Sequence, residues 1–247
     1  MKILVCISNV PDTTTKIRFK DNNKEFDASG VQWIINPWDE LALTRALELK
    51  EGSGGKIEKI SVALVGDKST EPTIRKALAI GADDAFRIDS EPKDSYYVAN
   101  QLKELAKDFD IVMCGIESAD YTSSAVGGML SEMLEWPSVS SVSRLEIEGD
   151  EVKIRREIDG GQEVVSAELP FVAIVQKGIA LEPRIPAMRG IMMARKKPLN
   201  VVEPIQADVL TAYESFELPP PKADVKLVDE ENVKELVELL KNEAKAI

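Results

Sequence analysis

The sequence predicts an α/β fold in which a mostly parallel sheet carries helices on both faces. Three observations predict it: short apolar runs, amphipathic segments between them, and alternation of the two through the first two-thirds of the 247 residues. Apolar runs at 3–8, 57–65, 85–88 and 111–114, with a later one at 171–176, read as strands buried on both faces. Between them, 39–50 places Leu41, Ala42, Ala46 and Leu49 on one stripe of a helix. A second helix, 73–80, stops at Gly81, a residue suited to the left-handed position after a helix end, and 95–107 is a third. Two hairpin insertions are expected, one over 16–27 around Asp21, Asn22 and Asn23 and one over 152–167 turning at Asp159, Gly160 and Gly161.

The composition changes after Pro198. Residues 203–224 hold Pro204, Pro219, Pro220 and Pro221 among scattered Leu, Tyr and Phe, with neither helix nor strand period, and read as an extended arm. Asp229 is then expected to cap a terminal helix whose Val233, Leu236, Val237 and Leu240 fall at i, i+3, i+4 and i+7. That stripe calls for burial, on the chain's own core or on another chain. The organisation is thus an α/β domain over 1–200 and an arm with its helix over 201–247.

Composition narrows the chemistry. There is no histidine, which removes Ser-His and Cys-His catalysis and His-ligated metals. Cys6 and Cys114 are the only thiols, too few for a disulfide framework or a zinc cluster, and read as buried spectators. A net charge of −12 repels nucleic acid. No apolar stretch reaches membrane-spanning length, and residues 1–5 enter a strand pattern without a secretion signal, as expected of a cytoplasmic chain.

Two segments could carry function. Residues 115–137 run from a buried strand into a helix and gather Asp120, Thr122, Ser123, Ser124, Gly127 and Gly128 at the junction. Free N–H groups, hydroxyls and glycines at a helix start can hold a phosphate, yet Ser and Thr are equally ordinary caps, so both readings stay open. The run Gly52-Ser53-Gly54-Gly55 lies between a helix and the next strand, the wrong end of the unit for a phosphate loop, and reads as a turn. From 177 to 197, Lys177, Arg184, Arg189, Arg195, Lys196 and Lys197 face only Glu182, and Pro183, Pro186, Met188, Met192 and Met193 are interleaved. A basic island with adaptable apolar side chains, inside an acidic chain, suits docking as well as it suits solvated surface.

These segments belong to a larger pattern. Residues 154–163, Ile-Arg-Arg-Glu-Ile-Asp-Gly-Gly-Gln-Glu, lead to Leu169-Pro170-Phe171-Val172-Ala173, then to Glu182-Pro183-Arg184 and Gly190-Ile191-Met192-Met193-Ala194-Arg195-Lys196-Lys197-Pro198. With Val10-Pro11-Asp12, Asn36-Pro37-Trp38-Asp39-Glu40, Ala77-Leu78-Ala79-Ile80-Gly81-Ala82-Asp83 and Leu134-Glu135-Trp136-Pro137, the chain resembles the beta subunit of electron transfer flavoprotein over residues 1–200.

The resemblance implies a Rossmann-like adenine-nucleotide fold and an electron carrier rather than an enzyme. It implies a heterodimer with an alpha subunit that holds the redox FAD at the interface, fed by acyl-CoA and other flavin dehydrogenases, as in fatty acid β-oxidation, and drained by a quinone reductase. AMP would lie against Cys6, Asn36, Pro37, Trp38, Asp39, Val65 and the stretch Asp120, Tyr121, Thr122, Ser123, Ser124, Ala125, Val126, Gly127, Gly128, Met129 and Leu130. The Ser-Ser-Ala-Val-Gly wording replaces the usual Gln-Thr-Gly, and electron-bifurcating relatives hold a second FAD there instead. Val10, Pro11, Asp12 and Thr13 match the flavin-facing loop, and Glu157 the contact with the flavin domain. Partner docking falls to Arg184, Met188, Arg189, Ile191, Met192, Arg195 and Lys196, with Met188 where a leucine is usual. A nucleotide-hydrolysing or adenylating enzyme and a nucleotide-sensing module are the rivals from other classes. The first lacks its phosphate loop and histidine; co-purification with a yellow alpha subunit would exclude the second.

Overall fold

A computed structural model describes residues 1–148, 151–222 and 224–247. Its strands are β1 (Lys2–Cys6), β2 (Asn9–Pro11), β3 (Phe19–Lys20), β4 (Glu25–Phe26), β5 (Trp33–Ile35), β6 (Lys59–Val65), β7 (Asp84–Ile88), β8 (Ile111–Gly115), β9 (Ser138–Glu148), β10 (Glu151–Ile158), β11 (Gly161–Ala167), β12 (Phe171–Val175) and β13 (Leu199–Val202). The helices are α1 (Pro37–Gly52), α2 (Glu71–Ile80), α3 (Ser95–Ala106), α4 (Val126–Leu134), α5 (Met188–Ala194) and α6 (Val233–Asn242). Nine strands form one sheet in the order β11-β10-β9-β12-β8-β1-β6-β7-β13. It is parallel from β9 to β13 and antiparallel in β9-β10-β11.

The wholly apolar runs become central strands because helices cover both faces. In β1, Ile3 and Val5 join Ile60, Val62, Met113 and the inner sides of α1 and α2. Leu4 and Cys6 point the other way, to Tyr97 and Leu102 of α3 and Leu130 and Leu134 of α4. Each such fully buried aliphatic side chain contributes roughly 1.5–3 kcal/mol. Gly81 ends α2 as expected, but at φ 154° rather than in the left-handed helical well; glycine is required because a Cβ would lie 2.8 Å from Leu47.

Several expectations need correction. The hairpin over 152–167 is no insertion: β10 pairs with β9, which pairs with β12, so the hairpin extends the main sheet. The link is β9, a strand whose register shifts against β12 between Val139 and Val142, where Ser141 sits at φ 57°, and against β10 between Val142 and Arg144. The 16–27 segment does form its own small sheet, β3-β4, with Asp21, Asn22 and Asn23 all at positive φ. The terminal helix is capped by Asn232, which accepts from the Glu235 N–H, whereas Asp229 accepts from Glu231 ahead of it. Its Val233, Leu236 and Val237 are exposed.

The arm runs from β13 across the sheet. Gln101 both donates to Ile205 O (2.8 Å) and accepts from its N–H (2.9 Å). Asp94, which caps α3, also accepts from the N–H groups of Leu210 (2.6 Å) and Thr211 (2.8 Å). Tyr213 stacks on Tyr121 at 4.7 Å, and Phe216 stacks on Phe19 at 5.2 Å.

Candidate functional site

The order of strands locates the site. From β1 the chain winds outward through α1 to β6 and through α2 to β7, then α3 carries it back to β8 on the other side of β1. The crevice between diverging loops therefore opens at the carboxyl ends of β1 and β8, where α/β sheets bind ligands. Cys6 and Cys114 are register partners there. Both are buried, and the Cys6 thiol is pushed up by its hydrogen bond with Cys114, then by burial.

Asn36 and Asp39 brace the loops around this crevice. Asn36 Nδ2 donates to Glu117 O (2.8 Å) and its Oδ1 accepts from the Ala119 N–H (3.0 Å). Asp39 accepts from the Ser8 N–H on one oxygen (2.8 Å) and from the Gly115 N–H on the other (2.9 Å), clamping the end of β1 to the end of β8. Proline at N1 fixes the turn into α1 just before this clamp. A Cβ on Gly115 would collide with Asp39 Oδ1 and Trp38 Cβ, so glycine there permits the clamp. Asp39 is only 3% exposed, and burial raises its carboxyl to about 7 against the opposing hydrogen bonds.

The loop from 115 to α4 is held in an unusual shape. Thr122 and Ser124 sit at φ 49° and 51°, and the Thr122 N–H donates to Ser118 O. A left-handed conformation costs a β-branched residue about 1–2 kcal/mol. The hydroxyls of Ser123 and Ser95 are paired (3.1 Å), and Ser124 donates to the Glu117 carboxylate (3.3 Å). The N-cap of α4 is Ala125, without a side-chain cap, so its first-turn amides are not closed off by a hydroxyl. Gly127 packs its backbone 2.8 Å (as a Cβ would measure) from Ile174, while Gly128 faces open space. Amides at an uncapped helix start suit one phosphate group. Val65 ends β6 nearby, Met129 is partly exposed and Leu130 is buried in the sheet face.

Val10 is buried in β2, leaving Pro11, Asp12 and Thr13 at the surface, with Asp12 accepting from the Thr14 N–H (2.9 Å). Glu157 lies near the tip of β10 and accepts from Gln162 Nε2 (2.9 Å). Far from the switch point, Met188 and Met192 are 74% and 61% exposed, with Ile191 beside them. Arg189, Arg195 and Lys196 are exposed, whereas Arg184 is held by both oxygens of Glu51 at 2.7 and 2.8 Å. Composition alone did not single out Asp94, Tyr213 or Phe216; aromatics inside a proline-rich arm were the available signal.

Residues 24–207 match the electron transfer flavoprotein domain. The chain belongs to the electron transfer flavoprotein family, in its beta-subunit branch. It is 36% identical to "Electron transfer flavoprotein subunit beta" of Bacillus subtilis, over 100% of both chains. The proteins of that name from Bradyrhizobium diazoefficiens (36%, 99% of each chain) and Syntrophomonas wolfei (37%, 99% of this chain and 98% of the relative) are similarly close. Family membership carries an electron transfer flavoprotein role. Among the described residues no helix is long and apolar enough to cross a membrane, and no trio of metal-ligating side chains is assembled.

Proposed function

We propose that the chain is the beta subunit of a heterodimeric carrier that takes electrons from acyl-CoA and other flavin dehydrogenases and passes them, through FAD held by an alpha subunit, to a quinone reductase. Family membership over the whole chain supports this reading. The single observation that carries the nucleotide part is the uncapped start of α4 beside the β1/β8 switch point. It offers several amide donors, with the carboxylates of Glu117 and Asp120 in the same loop. A single phosphate group at AMP's charge suits that donor set better than a longer polyphosphate, which would call for lysine or arginine.

Bound AMP would be a structural group, and the electrons travel on the alpha-subunit flavin. This chain's residues do the rest. Asn36 and Asp39 hold the loops that form the nucleotide crevice, and the Tyr121–Tyr213 stack lays the arm against that loop. Glu157, at the hairpin tip, biases the orientation of the flavin domain through an exposed charge pair worth about 0–1 kcal/mol. Met188 and its neighbours dock the donor.

The test is to co-express the chain with its alpha subunit, denature the purified complex by heat and chromatograph what is released. One FAD and one AMP per heterodimer is expected. Two FAD and no AMP would overturn the AMP assignment in favour of a bifurcating carrier, and a colourless single chain would overturn the carrier reading itself.

A further inference from the structure

The chain spends several buried contacts on one short helix. A Cβ on Gly190 of α5 would collide with Ala79 O of α2, so the two helices touch backbone to backbone only because residue 190 is glycine. Ala194, one turn on and on the same side of α5, is 3% exposed. Beneath them, Arg75 Nη1 donates to Ala194 O and Lys197 O, both at 2.8 Å. Lys197 Nζ donates to Ala82 O (2.6 Å), Leu78 O (3.0 Å) and Gly81 O (3.3 Å), placing an ammonium on carbonyls in the last turn of α2 and just past its end.

The opposite side of the helix is left open. Met188 and Met192 are separated by four residues and Ile191 lies between them, so the three form one apolar stripe away from Gly190 and Ala194. A seven-residue helix of this composition has no stability of its own in water, and its order comes from its seat.

We propose that Gly190, Arg75 and Lys197 are positioning residues that lock α5 onto the end of α2, so that Met188, Ile191 and Met192 are presented preorganised to an apolar pocket rimmed by carboxylates on a flavin dehydrogenase. The inference rests on the docking role given above. Exposed Arg189, Arg195 and Lys196, on a chain whose net charge is −12, select the acidic rim. A stripe that is ordered before encounter avoids the entropy of ordering it on binding. Gly190 and Lys197 therefore act on affinity through helix order, with no contact to the partner.

The experiment uses the heterodimer with Gly190→Ala, Lys197→Met and, for comparison, Met192→Ala. Three quantities are read: amide hydrogen exchange over 188–196, and KM and kcat for reduction by an acyl-CoA dehydrogenase. Gly190→Ala and Lys197→Met should speed exchange in α5 but not in β1, β6 or β8. If they leave the ordered helix about one-tenth populated, KM should rise about ten-fold with kcat unchanged. Met192→Ala should raise KM without faster exchange. A raised KM for Met192→Ala with a wild-type KM for Lys197→Met, despite faster exchange, overturns the positioning role and leaves docking intact. An unchanged KM for Met192→Ala refutes docking and the inference with it. Faster exchange throughout the sheet would make the seat a general stabiliser and also overturns the proposal.

Discussion

Replacing Asp39 by Asn separates two opposed effects of one buried carboxylate. In the wild type the carboxyl has moved from an ordinary 3.8 to about 7, chiefly through burial. The native state therefore binds a proton that the unfolded chain does not between those two values, and stability falls as pH rises through that window, by about 1.4 kcal/mol per pH unit. Above pH 7 the whole penalty, about 4 kcal/mol, is present; below the unfolded value it is absent. Asparagine carries no such penalty, but only its Oδ1 accepts. Either the Ser8 or the Gly115 N–H is then turned toward an amide NH2, at a cost of about 1–3 kcal/mol. The two effects cancel between about pH 4.5 and pH 6, which predicts a crossing there: Asp39→Asn at least as stable as the wild type at pH 8.5 and less stable near pH 4. Urea unfolding of the heterodimer at half-unit pH intervals measures it. Parallel pH profiles for the two proteins would refute the argument, since they would mean that Asp39 titrates alike in both states.

Four further outcomes are expected elsewhere in the chain. Thr122→Gly should raise stability by about 1 kcal/mol by relieving the left-handed backbone at φ 49°, read as a higher urea midpoint; a lower midpoint would show that the side chain contributes more than the strain removes. Glu157→Ala should slow electron transfer in stopped-flow reduction while stability moves by no more than about 0.5 kcal/mol, and a large loss of melting temperature with unchanged kinetics would make the residue structural. Met188→Ala should raise the dissociation rate from the dehydrogenase by the equivalent of about 1–3 kcal/mol, while neutralising Arg195 and Lys196 should slow association and flatten its salt dependence; wild-type rates for Met188→Ala would remove it as an anchor.

The central strands were legible because burial on both faces demands uninterrupted apolar runs, and β1, β6, β8 and β12 have them. Strand β9 was not. Its serines dilute the signal, and the register shift around Ser141 puts Val139 and Val142 three apart, so no period of two survives. Strand β13 is four residues long and partly exposed, below what a pattern can carry. The cap moved from Asp229 to Asn232 because both follow the same chemistry and local turn geometry chose between them. For Asn36 and Asp39 the family resemblance marked a nucleotide site, but the backbone amides these side chains meet are set by loop path, which no sequence pattern shows. The same holds for Arg184, whose fork is matched by Glu51 on a neighbouring helix.

The arm's fastenings lie in order along its length: Ile205 on Gln101, Leu210 and Thr211 on Asp94, Tyr213 on Tyr121, and Phe216 on Phe19 and on Asn23 O. Each joins residues about a hundred or more positions apart, so each closes a large loop, yet once the first is made the next needs only a few residues of slack. Attachment is thus expected to run like a zip from β13 toward Phe216, and detachment to run back from the far end. Partial release frees Phe19 and Tyr121 while Gln101 still holds, which makes the arm's opening graded rather than all-or-none.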